Sequence, residues 1–276
     1  MGGQRIFITG GAGGLGRALA ECYARAGWDV CIGDLDVARC AETLAAIRQH
    51  APRSQALACD VTREEDLQAA AAWLKDNWQG VDVVVNNAGV AQMGGIEEAT
   101  PADWQWIVDI NLLGVVRGCR VFVPLLRAQG GGWIVNVASM AGLLHMPHAA
   151  AYNATKAAVV ALSETLQLEL APDRIGVTVV CPAFFRTALA QNMRASNPQL
   201  EKMTRRLVDR ARIGPDEIAQ LVFTGVARGA THILTHPEAR RLWWLKRYLP
   251  YSWYLALIRR QLARMEARMR RPAAPV

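Results

Sequence analysis

The chain has no C-x-x-C pair and no histidine cluster beside any of its six cysteines, Cys22, Cys31, Cys40, Cys59, Cys119 and Cys181. Local spacing therefore implies no zinc framework or other metal site, and the thiols read as small buried hydrophobes of a reducing cytosol. The first ten residues run straight into a strand-like stretch, without a basic segment, an apolar run and a small-residue cleavage site in series. That predicts an unexported, cytoplasmic protein. Long uncharged runs are missing as well. The longest in the C-terminal region, Tyr248 to Ile258, is well short of the roughly 20 residues that a spanning helix needs. No internal repeat is present.

What is there suits a globular protein with a large core: 276 residues, 52% hydrophobic and 20% charged. The net charge of +7 is uneven. From Thr231 to Val276 ten Arg and Lys accompany only Glu238 and Glu266, whereas the preceding chain holds 21 basic and 22 acidic residues. The basic character belongs to the tail.

Short β-rich runs alternate with helix-length segments. The predicted strands are Arg5 to Thr9, Trp28 to Gly33, Gln55 to Cys59, Asp82 to Asn86, Trp133 to Ala138 and Ile175 to Cys181. Val83-Val84-Val85 and Val177-Thr178-Val179-Val180 are apolar or β-branched on both faces, as strands buried in a parallel sheet require. Predicted helices cover Leu15 to Ala26, Val37 to Gln49, Arg63 to Trp78, Pro101 to Ala128, Ala149 to Leu170 and Pro215 to Ala227. Thr62 with Glu65 reads as a capping box, and Thr100 precedes Pro101 at a first helical position. The expected fold is α/β, a Rossmann-like doubly wound parallel sheet in one domain over residues 1–236, followed by a basic, aromatic helical extension over 237–276.

The first strand feeds Thr9-Gly10-Gly11-Ala12-Gly13-Gly14-Leu15-Gly16, and helix follows at once. Glycines let this turn reverse sharply and let a pyrophosphate approach the backbone at the helix N-terminus. Two patterns overlap: Gly11, Gly13 and Gly16 satisfy G-x-G-x-x-G, while Gly10, Gly14 and Gly16 satisfy T-G-x-x-x-G-x-G. Asp34 closes the second strand 18 residues after Gly16, where a carboxylate meets ribose hydroxyls and opposes a 2′-phosphate. NAD is therefore the expected cofactor and NADP the alternative, with Arg17 and Arg39 as the cations that could reach a phosphate. The competing role for Asp34 is to cap the next helix, for which Asp36 is better placed.

Tyr152 and Lys156 lie four apart on a predicted helix, so both project from one face, where an ammonium favours a phenolate. Taken alone, Y-x-x-x-K describes many solvated pairs. Ser139 adds weight because it falls at the carboxyl end of the fifth predicted strand, the edge where such sheets bind ligands.

With these residues in hand, the chain resembles the short-chain dehydrogenase/reductase family in its ordinary single-domain form. The matches are Thr9-Gly-x-x-x-Gly14-x-Gly16, Asp60, Asn86-Asn87-Ala88-Gly89, Asn111, Ser139, Tyr152-x-x-x-Lys156 and Thr187, in family order over about residues 4 to 235. The resemblance implies an oxidoreductase that moves a hydride between nicotinamide C4 and a secondary alcohol or ketone. Tyr152 would exchange the proton, Ser139 would hydrogen-bond the substrate oxygen, and Lys156 would bind nicotinamide ribose and lower the tyrosine pKa. Asn111 would help hold a relay water. Around the cofactor, Gly10, Gly14, Leu15 and Gly16 would meet the pyrophosphate, Asp60 and Val61 adenine, Asn87, Ala88 and Gly89 the ribose, and Thr187 the carboxamide. Cys181-Pro182-Ala183 departs from the usual Pro-Gly, which puts the path of the loop to Thr187 in doubt. A homodimer or homotetramer, through the long helices at 101–128 and 149–170, is what the resemblance implies for assembly.

Substrate contacts are expected between Ser139 and Tyr152 and after Phe184, from Leu143, Leu144, His145, Met146, His148, Phe184 and Phe185. This set suits a small apolar alcohol or ketone, although ordinary packing would use the same residues. The alternatives are an NADP-dependent carbonyl reductase and a non-catalytic dinucleotide-binding scaffold or sensor, the latter expected to lack part of the catalytic set. The tail mixes Arg240, Arg241, Lys246 and Arg247 with Trp243, Trp244, Tyr248, Trp253 and Tyr254. Peripheral membrane contact competes there with packing on the domain or a second subunit, and no base-reading motif points to nucleic acid.

Overall fold

Ile6, Phe7 and Ile8 are fully buried, as are Val84 and Val85, because each strand that carries them has a neighbour along both edges. The computed structural model describes residues 4–187 and 193–269, with side chains through 263. Seven parallel strands form the main sheet: β1 (Arg5–Thr9), β2 (Asp29–Asp34), β3 (Gln55–Ala58), β4 (Val83–Asn86), β6 (Gly132–Val137), β7 (Ile175–Cys181) and β9 (His232–Leu234). Their order is β3-β2-β1-β4-β6-β7-β9, so the strand order reverses between β1 and β4. A crevice at the carboxyl ends of those two strands is the ligand site of such sheets. Two further strands, β5 (Gln92–Met93) and β8 (Arg194–Ala195), pair in parallel by themselves.

Helices cover both faces. Ile6, Ile8, Val30, Ile32, Val83 and Val85 share one core with Leu15, Leu19 and Tyr23 of α1 (Gly14–Arg25) and with Ile218 and Val222 of α9 (Pro215–Ala227). Phe7 points the other way, its ring 5.1 Å from that of Phe122 in α5 (Gly114–Ala128). This alternation is what a strand sandwiched between two helical layers produces. The remaining helices are α2 (Ala41–Arg48), α3 (Glu64–Trp78), α4 (Pro101–Val108), the short α6 (Ala141–Leu144), α7 (Ala150–Glu169) and α8 (Pro198–Asp209).

Two local expectations change. The helix expected over Pro101 to Ala128 is broken by a π-helical turn at Asp109–Leu113, where the Gly114 N–H reaches back to the Asp109 carbonyl. Thr62 does not cap α3, because Asp60 takes both its N–H at 2.9 Å and its hydroxyl at 2.7 Å. The first residue outside α3 is Arg63, and Asp66 turns back to the Asp60 N–H at 3.0 Å. Thr100 does cap α4, in a reciprocal box with Asp103 that has Pro101 inside it.

The chain divides into two compact units, Met1–Thr235 and His236–Val276. The second holds α10 (Pro237–Tyr248) and α11 (Tyr251–Met269). Leu249 between them is extended, with ψ 148°, as a residue ahead of proline prefers to be. No described helix is long and apolar enough to cross a membrane.

Candidate active site

The glycine loop separates its two overlapping patterns by conformation. Gly10 and Gly14 have φ of +68° and +55°, a region L side chains rarely adopt, and a Cβ on Gly16 would collide with the Gly10 carbonyl. Gly13 is extended, and a Cβ there would meet nothing within 4 Å. The pattern Thr9, Gly10, Gly14, Gly16 is thus the one the backbone requires. It delivers the N-terminus of α1, whose first-turn N–H groups have no intrahelical partner, to an open cradle beside Gly13. That arrangement fits the pyrophosphate of a dinucleotide.

Around this cradle the strand ends are tied together. Thr9 Oγ1 accepts the N–H groups of Asn87 and Ala88, each at 3.0 Å, and Asn87 Nδ2 returns a bond of 2.8 Å to the Thr9 carbonyl. The two lips of the crevice are therefore held at fixed separation. Asp34 stands at the tip of β2 with Oδ2 accepting the Ala12 N–H at 3.0 Å, which anchors the carboxylate to the glycine loop. Asp36, not Asp34, caps the following turn, accepting from the Ala38 N–H at 2.9 Å. Arg17 is engaged by Glu21 at 2.8 Å and Glu42 at 3.0 Å, whereas Arg39 is exposed on the turn after Asp34. Asp60 and Val61 sit just past β3, with one Asp60 oxygen used to fold its own loop onto Thr62.

Ser139, Tyr152, Lys156 and Asn111 converge beyond the ends of β4 and β6. Ser139 stands beside the Tyr152 hydroxyl, where it holds the phenol pKa down against the effect of burial. Ser139 Oγ accepts the Ala141 N–H at 3.1 Å and donates to the Pro182 carbonyl at 3.3 Å. Lys156 is buried, donates from Nζ to the Val137 carbonyl at 2.9 Å and stands 5.9 Å from the centre of the Tyr152 ring. A Cβ built on Gly89 would lie 3.1 Å from Asn111 Oδ1 and 3.5 Å from Lys156 Nζ, so these three positions share one wall.

Burial dominates the ionisation of the pair. It pushes the Tyr152 phenol above its ordinary 10, against the lowering effect of Ser139. It also brings the Lys156 ammonium down to about 8. One N–H of the Lys156 ammonium is held by the Val137 carbonyl, and Ser139 lowers the phenol against the effect of burial.

Several further residues position the site, and of these only Asn86 belongs to a family motif. Asn153 Nδ2 donates to the Met146 carbonyl at 2.7 Å, fastening the segment between Ser139 and Tyr152 to α7. Asn86, Asn136 and Ser163 form a buried chain behind the site, with bonds of 2.8 Å and 3.0 Å. An asparagine next to the tyrosine and another inside a strand were the only signals available. Leu144 ends α6, and His145 and His148 are exposed with φ of +52° and +56°. Phe184 and Thr187 are partly buried just past β7. Phe185 is partly buried and packs against the core cluster.

The family model for short chain dehydrogenase matches residues 4–198. EphD of Mycobacterium tuberculosis is 31% identical over 261 residues, which are 91% of this chain but 44% of that protein, so the chain spans less than half of that relative. SadH of the same organism is 31% identical over 255 residues, 91% of this chain and 92% of SadH. A short chain dehydrogenase/reductase from Burkholderia phymatum, solved in complex with NAD, superposes with a TM-score of 0.81 at 32% identity, covering 100% of this chain and 98% of that one. Glycine cradle, strand order and the convergence of Ser139, Tyr152 and Lys156 agree with these likenesses, and the chain belongs to the short-chain dehydrogenase/reductase family.

Proposed function

We propose that this chain is an NAD-dependent oxidoreductase that interconverts a secondary alcohol and its ketone on a small apolar substrate. The observation that carries the reading is the meeting of Ser139 and the buried Lys156 ammonium at Tyr152, with Nζ 5.9 Å from the centre of its ring. Ser139 Oγ accepts the Ala141 N–H and donates its proton to the Pro182 carbonyl over a long 3.3 Å, and in this reading a substrate oxygen replaces that carbonyl as the acceptor. Tyr152 Oη takes the alcohol proton in oxidation and returns it in reduction. Bound NAD supplies nicotinamide C4 as the hydride acceptor and a positive ring near the phenol.

Gly10, Gly14, Leu15 and Gly16 hold the pyrophosphate in this reading, and Asp60 and Val61 adjoin adenine. Asn87, Ala88, Gly89 and Lys156 take the nicotinamide ribose, and Thr187 the carboxamide. Asp34 receives the adenosine ribose hydroxyls. Its anchorage by Ala12 favours NAD, since a 2′-phosphate would be brought against a fixed carboxylate. Leu144, His145 and Phe184 line the substrate side. The test is a kinetic comparison of NAD with NADP over secondary alcohols of graded chain length and ring size. The reading expects kcat/KM to favour NAD and to rise with apolar size, and equal use of both cofactors would overturn the NAD assignment.

A further inference from the structure

In the C-terminal unit, α10 turns an aromatic face outward. Arg241, Trp244, Leu245 and Tyr248 follow the spacing that aligns residues along one side of a helix, and with Leu249 they line a shallow apolar depression of about 440 Å³. Trp244 and Leu245 are 45% and 43% exposed and Tyr248 is 72% exposed, the reverse of an ordinary surface helix. The Trp244 and Tyr248 rings are stacked, with centres 5.4 Å apart and planes within 3°, so the face is preorganised. The start of α11 continues the pattern, with Tyr251 and Trp253 exposed by 63% and 69%. Arg240, Arg241, Arg247, Arg259 and Arg260 are exposed on the same two helices.

We infer that this unit docks on an anionic lipid surface, lying in the headgroup plane with its tryptophan and tyrosine rings at the boundary and its arginines on lipid phosphates. Charge decides the occupant. Ten basic residues and two acidic ones fall between Thr231 and Val276, against 21 and 22 in the preceding chain, so attraction to anions is confined to the segment that carries the exposed rings. A symmetric contact with a second copy would press two such basic faces together and be opposed by their repulsion. Trp and Tyr mixed with Arg is the composition of an interfacial helix, and the absence of a long apolar helix among the described residues suits a unit that lies on a membrane and does not span it. The inference does not depend on the chemistry of the catalytic unit.

Co-sedimentation of the full chain with vesicles tests it, using phosphatidylcholine alone and phosphatidylcholine with about one third phosphatidylglycerol. The bound fraction is expected to be about tenfold higher on the anionic vesicles and to fall steeply as salt is raised from ~0.1 M to ~0.5 M. Two variants separate the contributions: Trp244→Ser with Tyr248→Ser and Trp253→Ser, and Arg240→Gln with Arg241→Gln and Arg247→Gln. Each is expected to lower anionic binding about fivefold or more while leaving turnover unchanged. Equal binding to both vesicles, no binding to either, or binding that needs the arginines but not the rings would overturn the proposal. Sedimentation of the same variants without lipid supplies a further check: loss of an oligomer on replacing the rings would assign the face to a second copy instead.

Discussion

Asn111 grips the backbone of Val90 with both ends of its amide. Oδ1 accepts the Val90 N–H at 2.8 Å, and Nδ2 donates to the Val90 carbonyl at 2.9 Å. The π-helical turn that carries Asn111 is thus locked to the loop running from Asn87 to Val90, the side of the crevice against which Lys156 packs. Asn111→Ala leaves two partly buried backbone groups of Val90 without that partner, an expected cost of about 1 to 2 kcal/mol. Denaturant melts read the loss, and weaker cofactor binding should accompany it. Unchanged stability would mean that the loop holds itself.

Lys156 has a stability signature of its own. Its folded pKa of about 8 lies below the ordinary 10.5, so the folded state binds fewer protons than the unfolded state between those values. Stability contributed at this position therefore rises as pH increases through that window, and the burial penalty is complete below it. Lys156→Met should abolish turnover yet raise the melting temperature near neutrality by about 3 °C or more. That advantage should shrink toward the alkaline end of the window. Calorimetry at neutral and alkaline pH checks the sign, and a pH-independent difference would refute it.

Asp34→Asn keeps an acceptor for the Ala12 N–H while removing the charge. The ratio of kcat/KM for NAD to that for NADP should fall by about tenfold or more, with little change in stability. If the ratio holds, the carboxylate does not set cofactor choice.

The Arg194 guanidinium lies 3.9 Å from the centre of the Trp106 ring and pairs with Asp103 at 3.2 Å. This clasp joins β8, on the chain after β7, to α4. Arg194→Ala should raise the substrate KM several-fold, up to about tenfold, with a smaller effect on kcat. A fall in kcat at constant KM would instead place the clasp in the chemistry.

Much of the sheet and of the catalytic set was legible because its signals are local. Arg5–Thr9 and Ile175–Cys181 match their expected strands residue for residue, since a buried parallel strand writes a continuous apolar or β-branched run. Tyr152, Lys156 and Ser139 come together because helix spacing and strand ends fix them. Features set by distant partners were not legible. His232–Leu234 is a strand only because β7 offers it an edge, and β5 exists only because Arg194 and Ala195 return to pair with it. The direction of Phe185, the break at Asp109–Leu113 and the Asn153 bond to Met146 are likewise decided by tertiary packing. The Tyr152 pKa is the clearest case: spacing supplied the lysine, but the direction of the shift follows from burial, with Ser139 opposing it.

The central claim is that Tyr152 carries the proton chemistry, and Tyr152→Phe tests it most directly. Reduced-nicotinamide formation from NAD and a secondary alcohol should be measured in both proteins, together with NAD affinity by calorimetry. The account predicts that turnover drops by about a thousandfold while cofactor affinity stays within about twofold, because the ring remains and only the exchangeable proton is lost. Turnover retained in the phenylalanine variant, with NAD still bound, would contradict it.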